Sequence, residues 1–166
     1  MRLSFLYEHT LYLYLYLMPI IRSATLQDIP SIKSIDQLLF QEDSYPLFVL
    51  RQFYDISAKY VKVAEVDGAV AGYIIAHYSP EQAIGWLLSL GVLPNFRGRR
   101  LGEQLMAACV EEMANLGAKE IFLTVHPDNA SGLHIYTRMG FEVREEQSDY
   151  YFDSSPRRLM SRRFSG

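Results

Sequence analysis

The sequence has little that would place it among disulfide-rich, metal-binding or nucleic-acid-binding proteins. It contains one cysteine, Cys109, so no internal disulfide can form. No His, Cys and Asp residues have the spacing of metal ligands, because His77, His126 and His134 fall in different predicted elements. The formal net charge of -3 gives no basic field for nucleic acid or an anionic membrane. The 166 residues, 49% of them hydrophobic, instead favour one globular domain with its own core.

The first 17 residues differ in pattern from the rest. Leucine and tyrosine alternate in "LYLYLYL", which favours a strand with two apolar faces. Glu8 and His9 interrupt the apolar run, which is shorter than the about 20 residues of a membrane-spanning helix and lacks a signal-peptide cleavage site. We expect residues 1–17 to be an extension outside a domain that spans residues 18–166, with Met18 as a candidate initiator. A loosely docked arm and a membrane-associating arm are the alternatives.

From Ile20 onwards the chain alternates predicted strands and helices, without a linker or repeat. Asp67 and Gly68 lie between two strand-like runs and form a strong hairpin signal. The apolar periodicity around Cys109 predicts a long amphipathic helix that ends near Gly117 and buries the thiol. The predicted order is β-α-α-β-β-β-α-β-α-β-β. It indicates an α/β fold with a central mixed sheet flanked by helices.

A turn rich in arginine and glycine joins a predicted strand to this long helix. Its backbone N–H groups, and those of the first helical turn, have no internal partner and can converge on a phosphate. Neither G-x-x-x-x-G-K-[ST] nor G-x-G-x-x-G is present, which argues against nucleoside triphosphate and NAD chemistry. We expect an anionic cofactor with a pyrophosphate, and an ordinary solvated turn is the alternative. The residues concerned are Arg97, Gly98, Arg99, Arg100, Leu101 and Gly102.

A second candidate site follows the next predicted strand. Asn129 lies where a loop enters a helix, and Tyr136 is two helical turns further on, so both share one helix face. The Asn amide can hold a ligand's amide carbonyl, and the Tyr hydroxyl can donate a proton to a leaving group. Taken singly, a helix cap and a half-buried core tyrosine are the simpler interpretations.

Together these two stretches resemble the GCN5-related N-acetyltransferase family over residues 20–164. In that family an R/Q-x-x-G-x-G/A turn binds the pyrophosphate of acetyl-CoA. Here Arg100 stands where the central glycine is usual, and we expect the turn to tolerate this residue if its φ is negative.

The resemblance also implies roles along the rest of the cofactor. The backbone of Leu90 and Val92 would pair with the pantetheine arm where the fourth and fifth strands separate, and an N–H near Val92 would stabilise the oxyanion. Asn129 would contact the cofactor, and Tyr136 would protonate the leaving thiolate.

Narrower features resemble the protein N-terminal acetyltransferase branch, including the ribosomal-protein alanine acetyltransferases. They are "FQEDSY", "LLSLGVLPNFR" and "DYYFD". In that branch the loop between the first two helices and a tyrosine-bearing loop near the end clamp the first residues of a peptide. The alternative is a solvated loop and an exposed strand edge. The resemblance implies an acceptor groove lined by Glu42, Asp43, Tyr45, Tyr150 and Tyr151.

The general base is not evident from the sequence. Thr124 stands where members of this branch often carry Glu or His, and Trp86 stands where some carry a tyrosine. His126, Glu42 and Tyr150 are the candidates, acting directly or through water.

The expected function is transfer of an acetyl group from acetyl-CoA to a protein or peptide amino terminus, ribosomal proteins being one acceptor class. We expect a cytoplasmic monomer or homodimer with no nucleic-acid or membrane partner. Acetylation of a small amine, and a non-catalytic acyl-CoA-binding regulatory module, are the alternatives.

Overall fold

The structure, a computed structural model, describes residues 18–165, so the expectation for residues 1–17 lies outside the described residues. The strands are β1 (Ile20–Ser23), β2 (Val61–Val66), β3 (Ala69–Ser79), β4 (Ile84–Val92), β5 (Glu120–Val125), β6 (Glu142–Gln147) and β7 (Arg157–Arg163). The α-helices are α1 (Ile29–Phe40), α2 (Leu47–Ser57), α3 (Leu101–Asn115) and α4 (Ala130–Arg138). The predicted order of strands and helices is confirmed.

All seven strands form one mixed sheet with the spatial order β1-β2-β3-β4-β5-β7-β6. Among the strands of residues 18–165, only β4 and β5 pair in parallel, and the other neighbouring pairs are antiparallel. Asp67 and Gly68 connect β2 to β3 with φ values of 53° and 76°, the left-handed conformations that a tight hairpin requires. No helix within residues 18–165 is long and apolar enough to cross a membrane.

Helices cover both faces of the sheet and create two cores. On one face α3 packs Leu105 and Cys109 against the sheet, and on the other α1 and α2 bury Ile32 and Leu50. Cys109 is fully buried, and this burial raises the pKa of its thiol to about 12, as expected for a core residue.

The feature that positions the functional site is the separation of β4 from β5. Their pairing runs from Ile84 opposite Glu120 to Leu87 opposite Leu123 and then stops. The β3–β4 register shifts at this point, so that Leu88 is an extra, bulged residue. Beyond the bulge β4 stays paired with β3 up to Val92, which leaves its other edge open.

Candidate active site

A pocket of about 450 Å³ occupies the gap between β4 and β5. Its walls come from β4, the end of β5, helix α4, the α1–α2 loop and the β6–β7 loop. Seven residues predicted to act in binding or catalysis line it together: Asp43, Tyr45, Leu90, His126, Asn129, Tyr136 and Tyr151. The structure therefore brings distant parts of the chain to one place, while the roles of these residues stay predictions.

The open edge of β4 presents backbone groups to this gap. The Leu93 N–H donates to the Ala71 carbonyl of β3 at 2.9 Å. Because successive residues of an antiparallel strand direct their N–H and C=O groups to opposite edges, Gly91 also faces β3, whereas Leu90 and Val92 face away from it. An extended ligand carrying amide groups can pair with these two residues, as the resemblance implies.

The arginine and glycine turn lies beside this open edge. Arg97, Gly98 and Arg99 are exposed, and α3 starts at Leu101 without a side-chain cap in the described part of the chain. The first N–H groups of α3 are therefore available to an anion. A Cβ placed on Gly102 would lie 3.6–3.9 Å from side chains of α4 and β4, so the turn adjoins both. These features fit a pyrophosphate-bearing cofactor whose arm continues along β4.

Arg100 differs from expectation. Its φ is 59° and its ψ 24°, so the negative φ on which we expected the turn to tolerate this residue is not observed. The chain turns into α3 through a left-handed residue, which explains why a glycine is usual there. The Arg100 guanidinium lies 2.6 Å from the Glu103 carboxylate, which also pairs with Arg138 at 3.2 Å. The hydrogen bond from Arg100 lowers the pKa of Glu103.

Asn129 and Tyr136 both face the pocket, as their spacing predicts. The Asn129 Oδ1 accepts the N–H of Gly132 at 2.9 Å and caps α4, so its NH₂ group is the part left for a ligand. Tyr136 is half-buried, and desolvation raises the pKa of its hydroxyl to about 12. The hydroxyl is therefore protonated at neutral pH and can act as a donor.

The three predicted bases differ in their relation to the pocket, and only His126 is part of its described wall. The His126 Nδ1 accepts the N–H of Asp128 at 3.1 Å, which puts the proton of a neutral ring on Nε2 and leaves no free lone pair. Within the described residues the pocket wall does not include Glu42 or Tyr150. Tyr150 instead packs edge-on against Tyr151, with 4.9 Å between ring centroids.

Two acidic residues and one arginine that were not predicted as site residues also line the pocket, on the side of Tyr45 and Tyr151. Asp36 of α1 is 1% exposed, Asp153 lies in the β6–β7 loop, and Arg157 is the first residue of β7. Arg157 lies over the Tyr151 ring, 5.2 Å from its centroid, and 3.7 Å from Asp153. Asp36 had a signal in the sequence, because it interrupts the apolar stripe of α1 one residue after Ile35.

Comparison with known proteins assigns the chain to a family. Residues 29–141 match the acetyltransferase (GNAT) family. The chain is 29% identical over 152 residues to an N-alpha-acetyltransferase of Sulfurisphaera tokodaii, covering 85% of this chain and 90% of that protein.

Solved structures share the fold. The chain superposes on Ard1 from Thermoplasma volcanium with a TM-score of 0.81 and 24% identity, covering 89% of this chain and 99% of that one. It superposes on Arabidopsis thaliana Naa50 in complex with the bisubstrate analogue CoA-Ac-MVNAL with a TM-score of 0.76 and 19% identity, covering 88% and 99%.

The chain belongs to the acetyltransferase (GNAT) family. It is an N-acetyltransferase, and its acyl donor is acetyl-CoA. The uncapped start of α3 adjoins β4, and Leu90 of β4 and Tyr136 both line the pocket.

Proposed function

We propose that this N-acetyltransferase modifies the amino terminus of a protein or peptide. The relative from Sulfurisphaera tokodaii, an N-alpha-acetyltransferase by name, supports this acceptor class. The observation that carries the proposal is the acceptor half of the pocket, where two loops face each other and each is tied to the fold. The N–H of Tyr45 donates to Asp36 at 2.7 Å, and the Tyr151 hydroxyl bonds to Thr124 at 2.6 Å.

This arrangement suits an extended peptide that enters with its amino group first. Tyr45 and Tyr151 provide aromatic walls for a backbone, and Asp43 and Asp153 provide negative charge at the pocket for a cationic amine. Arg157 offsets part of this charge and is held over Tyr151. A peptide amino terminus supplies both the amine and the backbone that these groups would contact.

Different residues of this chain would bind the donor, protonate the leaving group and bind the acceptor. Bound acetyl-CoA supplies the activated acetyl thioester. Leu90 and Val92 present backbone groups to orient the donor, and the Val92 N–H is the candidate for the developing oxyanion. Tyr136 holds a proton at its hydroxyl for the leaving group. Tyr45 and Tyr151 line the side of the pocket where the acceptor would bind.

The proposal includes ribosomal proteins among the acceptors, which is supported by the resemblance of "FQEDSY" and "DYYFD" to the ribosomal-protein branch. It also includes a cytoplasmic location. Fractionation of cells and the acetylation state of ribosomal proteins in a deletion strain check these two points. Size-exclusion chromatography distinguishes a monomer from a homodimer.

A peptide array tests the acceptor class. Purified protein and acetyl-CoA are incubated with peptides of varied first residues, matched peptides with a formylated amino terminus, and small amines. We expect acetylation of free amino termini and none of the formylated controls. Acetylation of small amines alone would show that the acceptor assignment is wrong.

A further inference from the structure

Three polar side chains form a hydrogen-bonded chain from the half-buried Ser89 through the buried Tyr73 to Asp36, which lines the pocket but is 1% exposed. Ser89 of β4 is half-buried and lines the pocket, and its Oγ lies 2.8 Å from the Tyr73 hydroxyl. Tyr73 is fully buried, and its hydroxyl donates to the Asp36 Oδ1 at 2.5 Å. The sheet places these residues together from α1, β3 and β4, so no sequence motif contains them.

The direction of this chain is fixed by its buried end. An ionised carboxylate only accepts hydrogen bonds, so the single Tyr73 proton points to Asp36. Burial, together with the hydrogen bond to Asp36, raises the pKa of Tyr73, which keeps that proton in place. The Tyr73 oxygen then accepts from the Ser89 hydroxyl. Ser89 is left with lone pairs that a donor in the pocket can reach.

The same carboxylate has one further donor and no pairing with the nearby lysine. Its Oδ2 accepts the N–H of Tyr45 at 2.7 Å. Lys33, the nearby cation of α1, directs its Nζ to the Tyr45 carbonyl at 2.8 Å and to the Ser44 and Gln37 side chains. Asp36 is therefore hydrogen-bonded without forming an ion pair with Lys33.

We propose that Ser89, Tyr73 and Asp36 form a proton relay that serves as the general base of this enzyme. The acceptor ammonium gives one proton to the Ser89 Oγ, Ser89 passes its own proton to Tyr73, and Tyr73 passes its own to Asp36. Each hydroxyl ends with one hydrogen, Asp36 becomes neutral, and the amine gains a free lone pair. The proton returns to water by the same route after the product leaves.

The relay would supply the general base that Thr124 and His126 do not provide. Thr124 stands where a base is usual and is bonded to Tyr151, and the His126 Nδ1 is occupied by a backbone N–H. The inference rests on the proposed function only in requiring a primary amine as acceptor.

Ser89→Ala is the principal test, because it removes the pocket end of the relay and leaves the Tyr73–Asp36 bond intact. We expect kcat to fall roughly 10²-fold with affinity for acetyl-CoA unchanged, the scale of a lost general base. The deficit should shrink as pH rises past the amino-terminal pKa of about 7.7–8.0, since the acceptor then arrives deprotonated. Ser34→Ala, an exposed serine on α1, is the matched control and should keep wild-type kcat.

Tyr73→Phe tests the middle of the relay. Tyr78→Phe is its control, because Tyr78 is also a buried tyrosine of β3 and donates to the Leu116 carbonyl on the other face. Tyr73→Phe loses the hydrogen bonds to Asp36 and Ser89, and Tyr78→Phe loses the one to Leu116, but only Tyr73→Phe should show the pH-dependent loss of kcat. Thermal melts confirm that both variants are folded.

Proton NMR of the protein without substrates tests the same hydrogen bonds independently of the kinetics. The hydroxyl proton of Tyr73 should give a slowly exchanging, downfield proton resonance that disappears in Tyr73→Phe and shifts in Ser89→Ala. Wild-type kcat in Ser89→Ala, or a deficit that is equal at every pH, would overturn the relay alone. A wild-type protein that acetylates small amines but no peptide would refute the proposed acceptor and still allow this test. Turnover of no amine would refute both.

Discussion

The hydroxyls of Thr124 and Tyr151 are 2.6 Å apart and join the end of β5 to the β6–β7 loop. This hydrogen bond lies at the acceptor side of the pocket, which both residues line. Tyr151 is otherwise 52% exposed, so the contact is one of the few that fix its ring in the pocket wall. Thr124, where the family resemblance led us to expect a base, thus anchors the β6–β7 loop in this chain.

Loss of this bond should weaken acceptor binding. A hydrogen bond contributes about 0.5–1.5 kcal/mol, so Tyr151→Phe should raise the acceptor KM by roughly 2- to 12-fold with little change for acetyl-CoA. Thr124→Val should have the same effect, and the double variant should be no worse than either one, which steady-state kinetics can measure. Additive effects would show that the two hydroxyls act separately.

Tyr136→Phe removes the proton donor and leaves the ring in place. We expect kcat to fall roughly 10²-fold while the dissociation constant for acetyl-CoA, measured by calorimetry, stays nearly constant. Tyr54→Phe, a half-buried tyrosine of α2 outside the pocket wall, is the control. Unchanged turnover in Tyr136→Phe would contradict its assigned role.

Gly102→Glu places bulk and negative charge against the uncapped start of α3. Acetyl-CoA binding should be abolished, because the phosphates would meet a carboxylate where they need free N–H groups. Gly102→Ala is the folding control, since its Cβ would make ordinary contacts of 3.6–3.9 Å. Calorimetry that still detects binding in Gly102→Glu would overturn the assignment of this turn.

Arg100→Gly tests the left-handed turn. Glycine adopts a φ of 59° without the steric conflict that an L-residue meets, so Tm should rise by about 2 °C. Acetyl-CoA affinity should change by less than a few-fold, because backbone N–H groups and not the Glu103-paired guanidinium would bind the phosphates. Arg100→Val, which is β-branched, should lower Tm. A lower Tm in the glycine variant would show that the ion pair outweighs the backbone strain.

The carboxylate of Asp28 makes the stability of the fold depend on pH in the acid range. The hydrogen bond from Arg22, at 2.7 Å, lowers its pKa from 3.8 to about 2. A carboxylate with a depressed folded-state pKa stabilises the fold above its unfolded pKa, and this contribution is lost as pH falls from about 4 to about 2.

Asp28→Asn should therefore cost about 2 kcal/mol at neutral pH and nothing below about pH 2, as urea unfolding at several pH values can show. Asp55→Asn breaks the exposed pair with Arg51 and should change stability far less. An equal loss at neutral and acid pH would contradict the linkage.

Much of the fold followed from local patterns. The Asp67–Gly68 hairpin, the long helix around Cys109 and the placement of Asn129 and Tyr136 on one face each depend on residues close in sequence. Their geometry is determined by periodicity and turn chemistry, which the sequence displays directly. The positive φ of Arg100 could not be predicted in this way, because it depends on how the chain has to turn between β4 and α3.

The sequence by itself determined the order of strands and helices, the family resemblance and the residues of the two motif stretches. Only the tertiary structure decided which backbone edge of β4 is open, that His126 has its Nδ1 occupied, and that Asp36, Tyr73 and Ser89 meet. Asp36 and Tyr73 are 37 positions apart in the sequence, and Tyr73 and Ser89 are 16 apart. The packing of α1 against the sheet brings them into contact. Sequence patterns report local geometry, whereas a proton path requires distances between distant segments.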